Sequence, residues 1–177
     1  MLFAGWLIHS IRLAAALGAA LLAMQAPAVT REYQAALLQL VRSSDQEIAQ
    51  RKSSAQRFYG IAPGEDEGRF LAQLRSVEPS NAETLAAALE RGHSLRESYD
   101  RIEQSPGLLR PIVAAEDILG VETSARRQIA KTVFDGFAPQ LDLSSAAAVY
   151  GLLGLFLGSL LGELVAAVLL PGHRLAR

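Results

Sequence analysis

Residues 143–170 read LSSAAAVYGLLGLFLGSLLGELVAAVLL and contain one charged residue, Glu163. The hydrocarbon core of a bilayer takes roughly 20 apolar residues as helix, so this run spans it with some tilt. Core helices of water-soluble proteins are shorter and punctuated by charge, which favours a transmembrane reading. Glycine defines one face of the span. Gly154, Gly158 and Gly162 recur every fourth residue, with Ala147 and Gly151 on a neighbouring track. A four-residue step turns an ideal helix about 40° past a full turn, so these positions share a face that a second helix can approach closely. Five small positions offer more surface than one helix needs, and a further partner is expected there.

Residues 1–28 form a second, less uniform apolar stretch, interrupted by His9, Ser10 and Arg12. A cleaved signal peptide is one reading, with a small-residue site near Ala26. Pro27 just beyond that site disfavours cleavage, so an uncleaved helix over about 8–28 is preferred. Gly18 and the surrounding alanines give it a small-residue face of its own.

Charge at the flanks sets the expected orientation. Arg12 lies at the N-terminal end of the first span, and His173, Arg174 and Arg177 follow the second, whereas Asp135 and Asp142 precede it. The positive-inside tendency places both termini in the cytoplasm and the long central loop outside. The expected domains are a first transmembrane helix at 1–28, an extracytoplasmic helical domain at 29–142, a second transmembrane helix at 143–170 and a cytoplasmic tail at 171–177.

The central loop reads as helix throughout. From Thr30, the residues Tyr33, Leu37, Leu40, Val41 and Ile48 build one apolar stripe, ended by Gly60 and Pro63-Gly64. A short helix is expected over 65–77. Ser80-Asn81-Ala82-Glu83 is a capping-box pattern, opening a helix with a seam at Leu85, Ala88, Gly92, Leu95, Tyr99 and Ile102. Under three heptads are covered, so its partner is expected to be the antiparallel helix over 30–58 rather than a long coiled coil. Ser105-Pro106-Gly107 breaks the chain, residues 108–119 form a short helix against the bundle or the membrane surface, and residues 122–134 are helical again. No segment alternates with period two, and no strand is predicted.

Chemistry is sparse. The net charge of −1 supplies no basic face for a nucleic acid, and the absence of Cys removes disulfides, thiolate catalysis and Cys-based zinc sites. No phosphate-binding loop, dinucleotide fingerprint, nucleophile elbow or zinc-protease motif is present. His9, His93 and His173 lie in separate regions. Glu65-Asp66-Glu67 reads as a solvated helix start, and Arg126-Arg127 as an exposed helix face. No catalytic, cofactor-binding or metal residue is therefore assigned, and the chain is not expected to be an enzyme. Within the spans, Arg12 and Glu163 stand at similar depth, about 16 and 17 residues from the outer boundaries, and are a candidate intramembrane ion pair.

Gln25-Ala26-Pro27 with Glu32-Tyr33-Gln34 after the Ala-rich helix, and Phe137-Ala138-Pro139-Gln140-Leu141-Asp142-Leu143 leading to Tyr150-Gly151, resemble a group of small bacterial inner-membrane proteins catalogued only as a domain of unknown function. The resemblance covers both ends and the overall length, with Met1 to Ile11 longer and more apolar than in that group. It implies an inner-membrane location with two spans and a periplasmic loop, and it lends no activity, cofactor or catalytic residue.

The expected fold is thus an all-α membrane protein, two transmembrane helices flanking an extracytoplasmic antiparallel helical bundle. Gly18, Gly151, Gly154, Gly158 and Gly162 are the expected helix-packing residues. The expected role is structural or accessory, with the glycine seam packing into a homo-oligomer or a larger membrane complex and lipid as the remaining partner. A sensor-like input module is the first rival, weakened because only residues 171–177 follow the second span. A small transporter or channel subunit is the second, resting on Arg12 and Glu163 alone.

Overall fold

A computed structural model describes residues 2–62, 66–120, 124–139 and 144–169. Glu65, Pro63-Gly64, Gln140 to Leu143, the proposed tail at 171–177 and its His173, Arg174 and Arg177 lie outside the described residues. Every regular element among the described residues is an α-helix. Two helical stretches, His9–Tyr59 and Ser145–Val165, contain windows long and apolar enough to cross a membrane.

The chain divides into two compact units. One comprises Met1–Glu32, Pro106–Ile112 and Thr132–Arg177, the other Tyr33–Ser105 and Val113–Lys131. Three short pieces of the central region, 29–32, 106–112 and 132–142, therefore cluster with the apolar helices.

In the first unit, α1 (Leu2–Met24) and α7 (Ser145–Leu169) pack against each other. At 1.5 Å per residue α7 is about 37 Å long. The nearest atoms to a Cβ built on each α7 glycine give the register. Gly151 faces Met24, Gly154 faces Ala19 and Ala23, Gly158 faces Ala15, Ala16 and Ala19, and Gly162 faces Arg12. The numbers rise on one helix as they fall on the other, so α1 and α7 run antiparallel. A Cβ on Gly154 would stand 2.5 Å from the Ala19 carbonyl oxygen, and one on Gly158 2.7 Å from that of Ala15. No side chain fits between these backbones. The outward faces carry the bulk instead, with Leu22 77% and Phe156 64% exposed.

The seam of Gly151, Gly154, Gly158 and Gly162, with Ala147 fully buried, packs against α1 of the same chain. Gly18 is not part of it. A Cβ there meets nothing within 4 Å, because α1 presents its Ala15, Ala19 and Ala23 track and turns Gly18 aside.

Between α1 and α2 (Ala26–Tyr59) only Gln25 leaves the helical pattern, donating its N–H to the Leu22 carbonyl at 3.1 Å. Pro27 explains the break, since it lacks an N–H and its ring crowds the carbonyl four residues back. It is tolerated because it lies in the first turn of α2. At the far end Gly60, with φ of 64°, closes α2 in a conformation that costs glycine little.

In the second unit, α3 (Glu67–Val77) buries Phe70 and Leu74, and α4 (Pro79–Gln104) buries Ala82, Leu85, Ala88, Leu89, Gly92, Ser98 and Ile102. Side-chain pairs between α2 and α4 run in opposite order along the two helices: Gln34 to Glu103, Asp45 to Arg96, Arg51 to Thr84 and Tyr59 to Asn81. A Cβ on Gly92 would lie 3.0 Å from Ser44 Oγ and 3.2 Å from Ile48 Cδ1, so Gly92 leaves room there for α2 side chains. Ile48, Ala55, Ile61, Phe70, Leu74, Leu85 and Leu89 close one core; Tyr33, Leu37, Ile102, Ala114 and Ala130 close another.

Local detail departs from expectation at three points. Ser80 does not cap α4, which starts at Pro79 with Glu78 as N-cap and no side-chain capping bond. Proline at the first position has no N–H to satisfy, and Ser80 stands inside the first turn rather than before it. Leu40 lies at the edge of its stripe, 37% exposed, because Leu37 and Val41 take the centre. Near the end of α4 the buried seam residue is Ser98 rather than Tyr99, which is half-buried.

The glycine contacts predict a graded series in detergent. Gly154→Ala and Gly158→Ala should each destabilise the α1–α7 pair by about 1–3 kcal/mol through overpacking. Gly151→Ala should cost less, since the atom it meets is the flexible Met24 side chain. Gly18→Ala should leave stability unchanged or raise it by up to about 1 kcal/mol from helix propensity. Thermal or steric-trapping unfolding of the four variants gives the order.

Candidate functional site

Among the described residues, each compact unit holds a charge pairing of interest, and only that of the second unit is buried. In the first, the α1–α7 register sets Arg12 beside Glu163, with Arg12 Nη1 3.8 Å from Glu163 Oε1. Both side chains keep partial exposure, so this is a loose pair rather than a sealed one. The Arg12 Nε is buried without a hydrogen-bond partner, and Gly162 lies against the Arg12 backbone.

The second place is a buried network that periodicity alone did not single out. Asp117 lies on α5 (Arg110–Leu119), whose Pro111 is accommodated in the first turn, and it is 1% exposed. Its Oδ2 accepts from the Tyr33 hydroxyl at 2.9 Å. Its Oδ1 accepts from Arg126 Nη1 at 3.0 Å and from Arg101 Nη2. Arg126, on α6 (Ser124–Gly136), also donates to Ser94 Oγ at 2.7 Å and to the Ser94 carbonyl at 3.3 Å. Ser98 donates to that same carbonyl at 3.1 Å. One carboxylate thus ties together α2, α4, α5 and α6.

This corrects the reading of Arg126-Arg127 as a plain exposed face. Arg126 is buried and Arg127 exposed. A buried ion recovers its lost hydration only when its remaining hydrogen-bonding positions are filled, and here both carboxylate oxygens are. Burial, the hydrogen bond to Asp117 and that carboxylate's charge raise the Tyr33 phenol above its usual 10.0, with Arg126 and Arg101 opposing. Tyr33 is therefore a neutral donor throughout the physiological range.

Surface hollows lie in the same unit, two of them beside polar side chains of more than one helix. A groove of about 390 Å³ is lined by Glu47, Arg51, Phe58, Tyr59, Leu74 and Asn81 among others. A smaller one of about 180 Å³ holds Lys52, Glu67 and His93. There Lys52 Nζ meets Glu67 Oε1 at 2.7 Å and His93 Nε2 is 3.8 Å from Glu67 Oε2. Asp66 caps α3 through the Gly68 N–H at 2.9 Å, so the two described residues of the acidic run serve the helix start. No group of three His, Cys, Asp or Glu among the described residues could hold a metal ion.

Comparison with known proteins adds one finding. A family model described as protein of unknown function (DUF2937) matches residues 7–174. No curated protein and no solved structure matches the chain.

Breaking the network should be costly. Asp117→Asn should destabilise the full chain by about 3–5 kcal/mol, because it leaves Arg126 buried without a counter-charge. Arg127→Ala, one residue from the network but exposed, should change stability by no more than about 0.5 kcal/mol. Denaturant unfolding in detergent measures both.

The raised phenol fixes a sign for alkaline pH. Below pH 10 Tyr33 is protonated in folded and unfolded chains alike, and its contribution is complete. As pH rises through 10 the unfolded phenol ionises first, so stability falls until the folded phenol ionises too. Tyr33→Phe should lower stability at neutral pH and remove this part of the alkaline decline, as read from unfolding curves between pH 8 and 12.

Proposed function

The chain belongs to the DUF2937 family over nearly its whole length, and from that premise we propose that it is a structural or accessory integral membrane protein. The α1–α7 pair is its two-span anchor and the helices between form an antiparallel bundle on the extracytoplasmic side. The observation that carries this reading is the distribution of bulk on α1 and α7. Gly and Ala face inward, while Leu13, Leu21, Leu22, Leu152, Phe156, Leu161 and Leu164 are exposed together. Such a contiguous apolar surface is unfavourable against water and at home against lipid.

The proposed location is the inner membrane of a bacterium, with both termini cytoplasmic. Association with a copy of the chain or with a larger complex then uses the outer faces of the pair, since α1 packs against the glycine seam. Arg12 and Glu163 lower each other's cost in lipid, and both have stems long enough to reach toward the interface. A second reading, an input module for a separate signalling partner, draws on the groove beside Phe58 and Tyr59, whose volume falls within the range of small-molecule sites.

The natural chain has no Cys, so single cysteines report topology cleanly. Ser76→Cys should label with a membrane-impermeant thiol reagent in intact cells, and Ala176→Cys only after lysis. The opposite pattern reverses the orientation. Labelling of both in intact cells removes the two-span anchor. In mild detergent the accessory role predicts a particle larger than one 19.0 kDa chain plus its micelle. A lone monomer counts against that role.

A further inference from the structure

The segment Pro106–Ile112 groups with α1 and α7 rather than with the helices on either side of it in sequence. Its sequence, PGLLRPI, is apolar apart from Arg110, and Leu108, Leu109 and Ile112 are each about half exposed. Tyr150, on the second turn of α7, donates its hydroxyl to the Leu108 carbonyl at 2.7 Å. We propose that this segment is a lipid-embedded collar at the outer end of the two-span anchor, its leucines in the boundary between headgroups and acyl chains.

Depth supports the assignment. Residues 150–169 of α7 measure about 30 Å at helical rise, the thickness of a hydrocarbon core. Tyr150 then stands at the outer boundary, where tyrosine is enriched because its ring is apolar and its hydroxyl polar. The hydroxyl it offers is spent on Leu108, which fixes the loop at that level. If the core instead begins at Ser145, Tyr150 and Leu108 lie about 7 Å deeper. Both placements bring the leucines to lipid.

Backbone chemistry supports it independently. Irregular backbone at membrane depth is tolerated only when its polar groups are bonded within the protein. Pro106 and Pro111 have no N–H to satisfy. Leu109 and Arg110 donate to the Pro106 carbonyl at 2.7 and 3.1 Å, and Ile112 donates to the Leu109 carbonyl at 3.0 Å. The Leu108 carbonyl has Tyr150. With these groups bonded within the chain and three bulky apolar side chains exposed, the segment suits the boundary of a lipid surface.

This inference rests on the membrane-anchor reading, and the test separates the two. The full chain is placed in vesicles of zwitterionic and anionic phospholipid with one spin-labelled cysteine at a time, in Leu109→Cys, Phe156→Cys and Ser76→Cys. Collision with oxygen, which concentrates in acyl chains, is compared with collision with a water-soluble nickel chelate. Leu109→Cys and Phe156→Cys should both favour oxygen, and Ser76→Cys should favour nickel. Nickel access at Leu109→Cys with oxygen access at Phe156→Cys overturns the collar and leaves the anchor. Nickel access at Phe156→Cys overturns both. Exclusion of both reagents at Leu109→Cys means that protein covers the loop, which overturns the collar in favour of a protein partner.

Discussion

Two helix backbones that meet through Gly154 and Gly158 leave no volume for anything larger than hydrogen between them. Dispersion at such short range grows with the number of atoms in contact, and each contact is worth only about 0.1–0.2 kcal/mol. Many must form together, so the arrangement tolerates little sliding. The alanines of α1 supply methyl groups at the spacing that the glycines leave open. Everything larger is displaced to the outer surface, and the apolar outer surface is what favours lipid. Inward smallness and outward bulk are therefore one constraint seen from two sides.

The other unit is organised differently. Its apolar cores are built from alanine, leucine and isoleucine at helical spacing, which brings helices together without fixing which turn faces which. Asp117 supplies that choice. Its two oxygens accept from Tyr33, Arg101 and Arg126, which come from three other helices. A shift of α6 would part Asp117 from the buried Arg126, and a shift of α2 would take away the Tyr33 hydrogen bond, so displacement is costly. Hydrophobic burial holds this unit together, and the carboxylate selects one register among many of similar burial.

Much of this was legible in the chain itself, and the gaps have physical causes. Run length alone marks the two apolar helices, because the thickness of a bilayer is fixed. Counting residues at constant rise places Arg12 and Glu163 at similar levels, and the two stand 3.8 Å apart. The face of α1 was harder, since Ala14, Ala15, Ala16, Gly18, Ala19 and Ala20 surround the helix with small residues and no single track stands out. Only the contact with α7 distinguishes Ala15 and Ala19 from Gly18. Asp117 was invisible for a related reason. An acidic residue in a short helix reads as solvent-facing unless its partners are known, and Tyr33 is 84 residues away. Arg126 and Arg127 are chemically identical neighbours, and only the 100° between them on α6 decides which one is buried. The one available signal was Tyr33 in an otherwise aliphatic stripe, since a buried phenol asks for an acceptor.

The register of α1 on α7 also says something about time. Met24 faces Gly151, so the nearest partners along this contact are 151 − 24 = 127 residues apart in sequence. At typical synthesis rates the second helix emerges roughly 6–25 s after the first. Throughout that interval α1 carries its alanine face with no glycine seam to receive it, and the α1–α7 pairing can complete only after α7 has been made. Any other helix with small residues at the same spacing competes for α1 until α7 arrives.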